Sequence, residues 1–189
     1  METRDVTASE DAEVQIELRR GEGIGIVARD GIFGTPLRGL MVRVTDGAGT
    51  MVFSGGVSLD SDGRGEIPSL RPGQYEMRIG AGGYAAVALH GVAVPAPTLA
   101  VSLTPGGTLE IQVGPETAAH TGVKARLLGA DGQPYHPGLF PPPDPSFSLT
   151  PVPPRFENVV PGHYSLAVDG GLQPEFDITE GGIKAVALP

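Results

Sequence analysis

Residues 70–79, LRPGQYEMRI, have a second version later in the chain, VVPGHYSLAV at residues 159–168. In both versions one residue separates Pro-Gly from a tyrosine. The tyrosine then starts an alternation in which every second residue is apolar. Proline fixes φ and glycine turns the chain, so the tyrosine stands at the head of a strand with one buried face. We predict a structural role for the residues of both motifs, Pro72, Gly73, Tyr75, Pro161, Gly162 and Tyr164.

A second regularity divides the chain into units of 85 residues. Short alternating runs end at Leu18, Leu103 and Leu188, which are spaced by 85 residues. This period predicts a leading strand in residues 1–20, a first unit in 21–104 and a second unit in 105–189. We interpret the leading strand as the tail of a preceding repeat or, alternatively, as a donor strand for self-assembly through residues 12–19.

The composition favours an all-β fold. The chain has 29 Gly and 19 Pro, yet 40% of its residues are hydrophobic and they occur in period-two alternations. Recurrent Asp-Gly pairs are typical of tight turns between short strands. Six or seven such strands in about 85 residues form a β-sandwich. We therefore predict two sandwiches in series, preceded by the extra N-terminal strand.

The middle of the second unit departs from this pattern. Residues 135–155 are too rich in proline for a central strand. We expect this insertion to run in an extended conformation over a sheet edge, with Phe140, Phe147 and Phe156 reaching into the core.

Charge and composition exclude several classes of function. The net charge is −9 and the chain contains two lysines, Lys124 and Lys184, so it lacks the basic surface that nucleic acids need. No apolar run reaches the length of a membrane helix, and the first residues lack the pattern of a signal peptide. Cysteine is absent, which excludes disulfides and thiolate metal sites.

The sequence contains no catalytic constellation, and we predict that the chain is not an enzyme and has no cofactor. Its histidines, including His90 and His163, lack metal-ligand spacing. Asp60, Asp62 and Glu66 form a weak calcium candidate, but the loop lacks the remaining ligands of an EF-hand. The turn interpretation is therefore preferred.

The residues leave two other binding or crosslinking roles open. A carbohydrate-binding module would use exposed aromatic rings, and Tyr84 and Tyr135 are the tyrosines that the repeated motif leaves over. An internal Lys–Asn crosslink would be restricted to the second unit, which holds both lysines and the single asparagine, Asn158.

The order of motifs in the first unit resembles the carboxypeptidase regulatory-like domain family. The similarity rests on VARDGIFGTPLRGLMVRV, LDSDGRGEI, LRPGQYEMRI and GGYAAV, which follow one another between residues 27 and 87. The second unit keeps GADGQPYHPG (residues 129–138) and VVPGHYSL but lacks the Asp-x-Asp-Gly turn and the Gly-Tyr pair. The resemblance implies a prealbumin-like, Ig-like sandwich of seven strands.

Domains of this family occur as accessory modules of peptidases, transporters and surface proteins. The resemblance therefore implies a non-catalytic spacer or interaction module in a larger bacterial protein that is extracellular, on the cell surface or periplasmic. The implied partners are other domains of the parent protein or a protein partner, with no nucleic acid and no membrane insertion. A very short linker at residues 103–107 predicts a semi-rigid pair.

Overall fold

The structure is a computed structural model. It describes residues 21–118, 122–142, 144–149, 154–169 and 171–189, so the predicted leading strand lies outside the described residues. In the described part, no helix has the length and hydrophobicity required to cross a membrane.

The first unit contains seven strands in two antiparallel-rich sheets. The strands are β1 (Glu22–Asp30), β2 (Gly39–Asp46), β3 (Met51–Ser58), β4 (Arg64–Leu70), β5 (Gly73–Gly80), β6 (Val87–Val94) and β7 (Leu99–Leu103). One sheet has the order β4-β1-β7 and the other β3-β2-β5-β6. β1 pairs antiparallel with β4 and parallel with β7, where Ile26 lies opposite Leu99.

The second unit contains eight described strands and one helical turn. The elements are β8 (Gly107–Val113), α1 (Pro115–Ala118), β9 (Lys124–Gly129), β10 (Pro134–Tyr135), β11 (Phe147–Ser148), β12 (Arg155–Val159), β13 (Gly162–Val168), β14 (Gly171–Ile178) and β15 (Ile183–Leu188). One sheet has the order β12-β8-β15, and in the other β9 pairs with β10, β11 and β13, followed by β14. The pairing order therefore matches the first unit, with β10 and β11 in the place of β3.

Two clusters of buried side chains fill the space between the sheets. The first cluster is built from residues between Ile24 and Leu103, and the second from residues between Leu109 and Leu188. Alternation explains the burial, because side chains along a strand point to opposite faces. On β5, Tyr75, Met77 and Ile79 are buried, whereas Glu76 is exposed. The all-β sandwich prediction is confirmed.

The proline-rich segment runs along a sheet edge as predicted, but one of its three phenylalanines is not in the core. It contains the two short strands β10 and β11, which hydrogen-bond to β9. Phe147 and Phe156 pack against the second core, but Phe140 is 52% exposed. The prediction that Phe140 reaches into the core is wrong; its ring lies instead beside Arg43 of the first unit.

The motif correspondence within the second unit is also corrected. Asp131 and Gly132 lie in the turn between β9 and β10, which corresponds by pairing to the turn between β2 and β3. The matching motif of the first unit, at Asp30 and Gly31, lies instead between β1 and β2. Asp-Gly suits any tight turn, and its presence alone does not identify which turn it forms.

Candidate functional site: the junction between the two sandwiches

The two motif tyrosines occupy the same position in their sandwiches. Tyr75 is 7% exposed and Tyr164 is 5% exposed. The Tyr75 hydroxyl donates to the carbonyl oxygen of Arg71 at 2.9 Å, and the Tyr164 hydroxyl donates to that of Val160 at 2.7 Å. Each bond closes back over the Pro-Gly turn, four residues upstream. The arrangement stabilises the turn and offers no reactive group.

Removing either hydroxyl should therefore weaken one sandwich. We expect Tyr75→Phe and Tyr164→Phe each to lower the free energy of unfolding by about 0.5–1.5 kcal/mol, which is the net contribution of a typical intramolecular hydrogen bond. Urea unfolding followed by fluorescence or circular dichroism measures the change. Equal stability of both variants and the parent chain would contradict a role of the hydroxyls in the fold.

The acidic turn of the first unit uses its carboxylates for the backbone. Asp60 Oδ1 accepts hydrogen bonds from the amides of Asp62 at 2.9 Å and Arg64 at 2.8 Å. These bonds, led by that from Arg64, lower the pKa of Asp60. Glu66 lies on β4 opposite Gly25. Among the described residues, no group of three or more His, Asp or Glu side chains is placed to hold a metal ion.

Tyr84 is tied to a buried carboxylate. Its hydroxyl donates to Asp30 Oδ2 at 2.7 Å, while Asp30 Oδ1 accepts from the amides of Ile32 and Phe33 at 2.7 and 2.8 Å. The hydrogen bonds from Phe33 and Tyr84 lower the pKa of Asp30, and the bond to Asp30 raises the pKa of Tyr84. The Tyr84 ring packs against the first core. This pair, which the sequence did not reveal, fixes the loop after β1 to the loop before β6.

Tyr135 belongs to the second core instead. Its ring centroid lies 5.2 Å from that of Tyr164, and its hydroxyl accepts from the amide of Val160 at 3.1 Å. Burial raises the pKa of Tyr135. Tyr84 and Tyr135 therefore pack against different cores, each with its hydroxyl engaged, and the structure does not bring them together as one aromatic platform.

The linker between the sandwiches is bound to the first unit through its backbone. The amide of Ala85 donates to Thr104 at 2.9 Å, and the amide of Gly106 donates to Gly83 at 3.1 Å. Tyr84 and Pro105 form an isolated antiparallel bridge. These contacts join the backbone of residues 104–106 to residues 83–85 of the first sandwich.

Gly106 lies between backbone atoms of both units. A Cβ atom at this residue would lie 2.4 Å from Cα of Asn158, on β12, and 3.2 Å from the amide nitrogen of Ala85. Real Cβ atoms essentially never come within 3.0 Å of another atom, so the approach to Asn158 excludes a side chain, whereas the approach to Ala85 is only tight. Glycine is required here because a Cβ atom would overlap the backbone of Asn158, a contact within the second unit that Gly21 and Ser69 repeat in the first unit, while Ala85 of the first unit lies at the limit of tight contact.

A second contact joins the proline-rich segment to the outer face of the first unit. Nη1 of Arg43, on β2, donates to the carbonyl oxygen of Leu139 at 3.4 Å, and its guanidinium carbon lies 5.6 Å from the centre of the Phe140 ring. Leu139 also lies against Gly80 of β5, with its Cδ2 atom 3.6 Å from the position of a Cβ there. A cation over an aromatic face at this distance is attractive.

Together, these two contacts define the junction, which consists of Arg43, Gly80, Ala85, Gly106, Leu139, Phe140 and Asn158. It holds no nucleophile or general base, and its chemistry is that of packing and orientation. Sequence reasoning missed it because Arg43 and Leu139 are 96 residues apart. The one available signal was the proline-rich insertion itself, which had no counterpart in the first unit.

His163, in the second motif, makes a surface pair with two acids on β14. Its Nδ1 lies 2.9 Å from Oδ1 of Asp177 and its Nε2 lies 3.5 Å from Oε2 of Glu175. The hydrogen bond to Asp177 is the main cause of the raised pKa of His163. The folded state therefore favours the imidazolium over the neutral ring.

This shift predicts a pH-dependent contribution to stability. A raised folded pKa gives stability that is fully present below the unfolded value of about 6.5 and is lost as the pH rises through the folded value. We expect His163→Gln to lower the urea midpoint more at about pH 5.5 than at about pH 9. Asp177→Asn should reduce this pH dependence. If His163→Gln lowered the urea midpoint by the same amount at both pH values, the pairing of His163 with Asp177 would be contradicted.

Comparison with known proteins gives no family assignment. No protein-family model matches the chain, and no curated protein matches it. Membership in the carboxypeptidase regulatory-like family therefore stays a prediction.

Solved structures show remote similarity. The Bacillus anthracis TIE protein is 17% identical over 88% of this chain and 33% of its own length, with a TM-score of 0.34. GBS52, the minor pilin of Streptococcus agalactiae, is 14% identical over 89% of this chain and 94% of its own, with a TM-score of 0.35. BcpA, the major pilin subunit of Bacillus cereus, is 7% identical over 90% and 99%, with a TM-score of 0.34. At these values, none of the similarities assigns a function to the chain.

Proposed function

We propose that the chain is a non-catalytic structural or interaction module, in which two tandem sandwiches act as a semi-rigid spacer within a larger surface-associated protein. The observation that carries this proposal is the contact of Arg43 with Leu139 and Phe140. A segment inserted in one sandwich is bound to the outer face of the other. Such a contact favours one orientation of the two units over others.

The linker supports the same function. Three residues, Thr104, Pro105 and Gly106, separate β7 from β8. A linker of this length, with proline at its centre and hydrogen bonds to the first unit, does not permit free rotation. Loops at the far ends of the two sandwiches are then held at a fixed separation, ready to contact other domains of the parent protein or a protein partner.

The remaining parts of the proposal rest on the residues and on the resemblance. The acidic net charge of −9 disfavours nucleic acid and anionic membranes as partners. Location outside the cytoplasm follows from the resemblance to accessory modules of exported proteins. The module acts by geometry, so no cofactor is required.

The test is a distance measurement between the two units. Since the chain has no cysteine, Ser61→Cys and Glu180→Cys introduce a single pair of exposed labelling sites, one in each sandwich. With spin labels at both, we expect one narrow distance distribution. Arg43→Ala and Phe140→Ala should each broaden it, because either change removes the attraction between the guanidinium and the ring.

Arg71→Ala serves as the matched control, because it removes an arginine side chain that is exposed and lies outside the junction. We expect the distribution in this variant to equal that of the labelled parent chain. A parent chain with a distribution as broad as that of Arg43→Ala would overturn the spacer function.

A further inference from the structure

Two arginines lie side by side on the outer face of the first sandwich. Arg43 on β2 is directly opposite Arg78 on β5. The Cβ atoms of residues paired in this way are about 4.5–5.5 Å apart, and like charges at this spacing destabilise a sheet. Among the described residues, neither arginine has an ion-pair partner. The arginine pair therefore places two positive charges next to each other.

The neighbouring strands supply no acid to the arginine pair. The residues opposite it on the outer strands of the sheet are Ser54 on β3 and Ala88 on β6. The acid on the same face of β5, Glu76, is bonded instead to the side chain of His90 and to the amide of Gly91. A counter-charge for the arginine pair therefore has to come from outside the described residues.

Arg43 also has unused capacity to donate hydrogen bonds. A guanidinium has five N–H donors. Arg43 uses Nη1 for the carbonyl oxygen of Leu139, at the long distance of 3.4 Å. Its Nε atom is buried and has no hydrogen-bond partner among the described residues. A buried donor without an acceptor is destabilising, so an acceptor that reaches this guanidinium would stabilise it.

The proline-rich segment partly covers the arginine pair. Leu139 and Phe140 contact Arg43, as described above. Burial raises the pKa of Tyr135, and the charge of Arg78 is among the influences that oppose this rise, which places Arg78 near the same segment. Both arginines are half-buried. Partial burial strengthens the attraction of an anion, while the exposed part of each side chain leaves a route of entry.

We propose that the arginine pair binds a small divalent oxyanion, of the sulfate or phosphate type, at the junction between the two sandwiches. Two guanidiniums match two negative charges, and each can donate to two oxygen atoms at once. The net charge of −9 disfavours a large polyanion, because its further charges would meet an acidic surface. The occupant is therefore a free anion. This proposal does not rest on the spacer function.

An NMR titration of the full chain tests the proposal, because spectra of arginine Nε–H groups report on each guanidinium separately. The probes are sodium sulfate and inorganic phosphate, added at constant ionic strength in chloride and at a pH where phosphate is mainly divalent. We expect the signals of Arg43 and Arg78 to shift and to saturate together. Phenyl phosphate should bind more weakly, because the proline-rich segment lies over the arginine pair.

Two variants with the same net charge separate a site from general attraction. Arg78→Gln should weaken the binding seen at Arg43 about tenfold, since a charge-assisted interaction is lost. Arg71→Gln removes an exposed arginine from the turn before β5 and should change the affinity by less than about twofold.

Three outcomes would overturn the proposal. Shifts that rise without saturation would show no site, equal weakening by both variants would show general attraction, and equal binding of phenyl phosphate would assign the site to a group on a larger molecule. The spacer function is tested separately. A broad distance distribution with saturable binding would remove the spacer alone, and a narrow distribution without saturation would remove the anion site alone.

Discussion

Met77→Ala should destabilise the first sandwich alone, and Leu166→Ala the second alone. The two residues are equivalent, since each lies two positions after a motif tyrosine and is at most 1% exposed. Met77 lies opposite Val44 and Leu166 opposite Leu127, both buried. Replacing such a side chain by alanine removes contacts and leaves a cavity, which costs about 2–5 kcal/mol. Because the cores are separate clusters, we expect each change to move one calorimetric transition.

The control substitutions lie on the same strands. Gln74→Ala on β5 and Ser165→Ala on β13 alter side chains outside the buried clusters and should change stability by less than about 0.5 kcal/mol. A single transition that both core substitutions lower equally would show one cooperative core across the chain. That result would contradict the division into two sandwiches.

Gly106→Ala is expected to disrupt the junction. Its Cβ would lie 2.4 and 2.7 Å from the backbone Cα and C atoms of Asn158, and neither atom can move without shifting β12. Overpacking of this kind costs about 1–3 kcal/mol. We expect a lower urea midpoint together with a changed distance between labels on Ser61→Cys and Glu180→Cys.

Gly82→Ala provides the comparison for this variant. It lies in the loop before β6, and a Cβ atom there would have no other atom within 4 Å. The same chemical change should therefore be neutral or slightly stabilising. If Gly82→Ala and Gly106→Ala behaved alike, the close approach at Gly106 would not constrain the junction.

Local patterns predicted most of the fold. The alternation at Tyr75, Met77 and Ile79 gave the buried face of β5, and the run at residues 99–103 coincides with β7. These features depend on the residues of one strand and on the turn before it, which is why the sequence alone sufficed.

The junction could not be predicted in this way. From the sequence, Arg43 is predicted to be an ordinary exposed residue of an alternating strand. Phe140 is predicted to be a core residue, because it is aromatic and lies in a segment rich in proline. Only the three-dimensional path of the segment brings Phe140 to Arg43. Likewise, the aspartate of an Asp-Gly turn gave no indication that Asp30 would bind Tyr84, 54 residues later.

The parallel pairing of the first and last strands has a consequence for biosynthesis. β1 lies between β4 and β7, and β8 lies between β12 and β15. During translation, each three-stranded sheet can therefore be completed only after the last strand of its sandwich has left the ribosome. Until then, one edge of its middle strand has no partner. We expect the N-terminal sandwich to fold first. Arg43 is then already in place to bind residues 139 and 140 when they leave the ribosome.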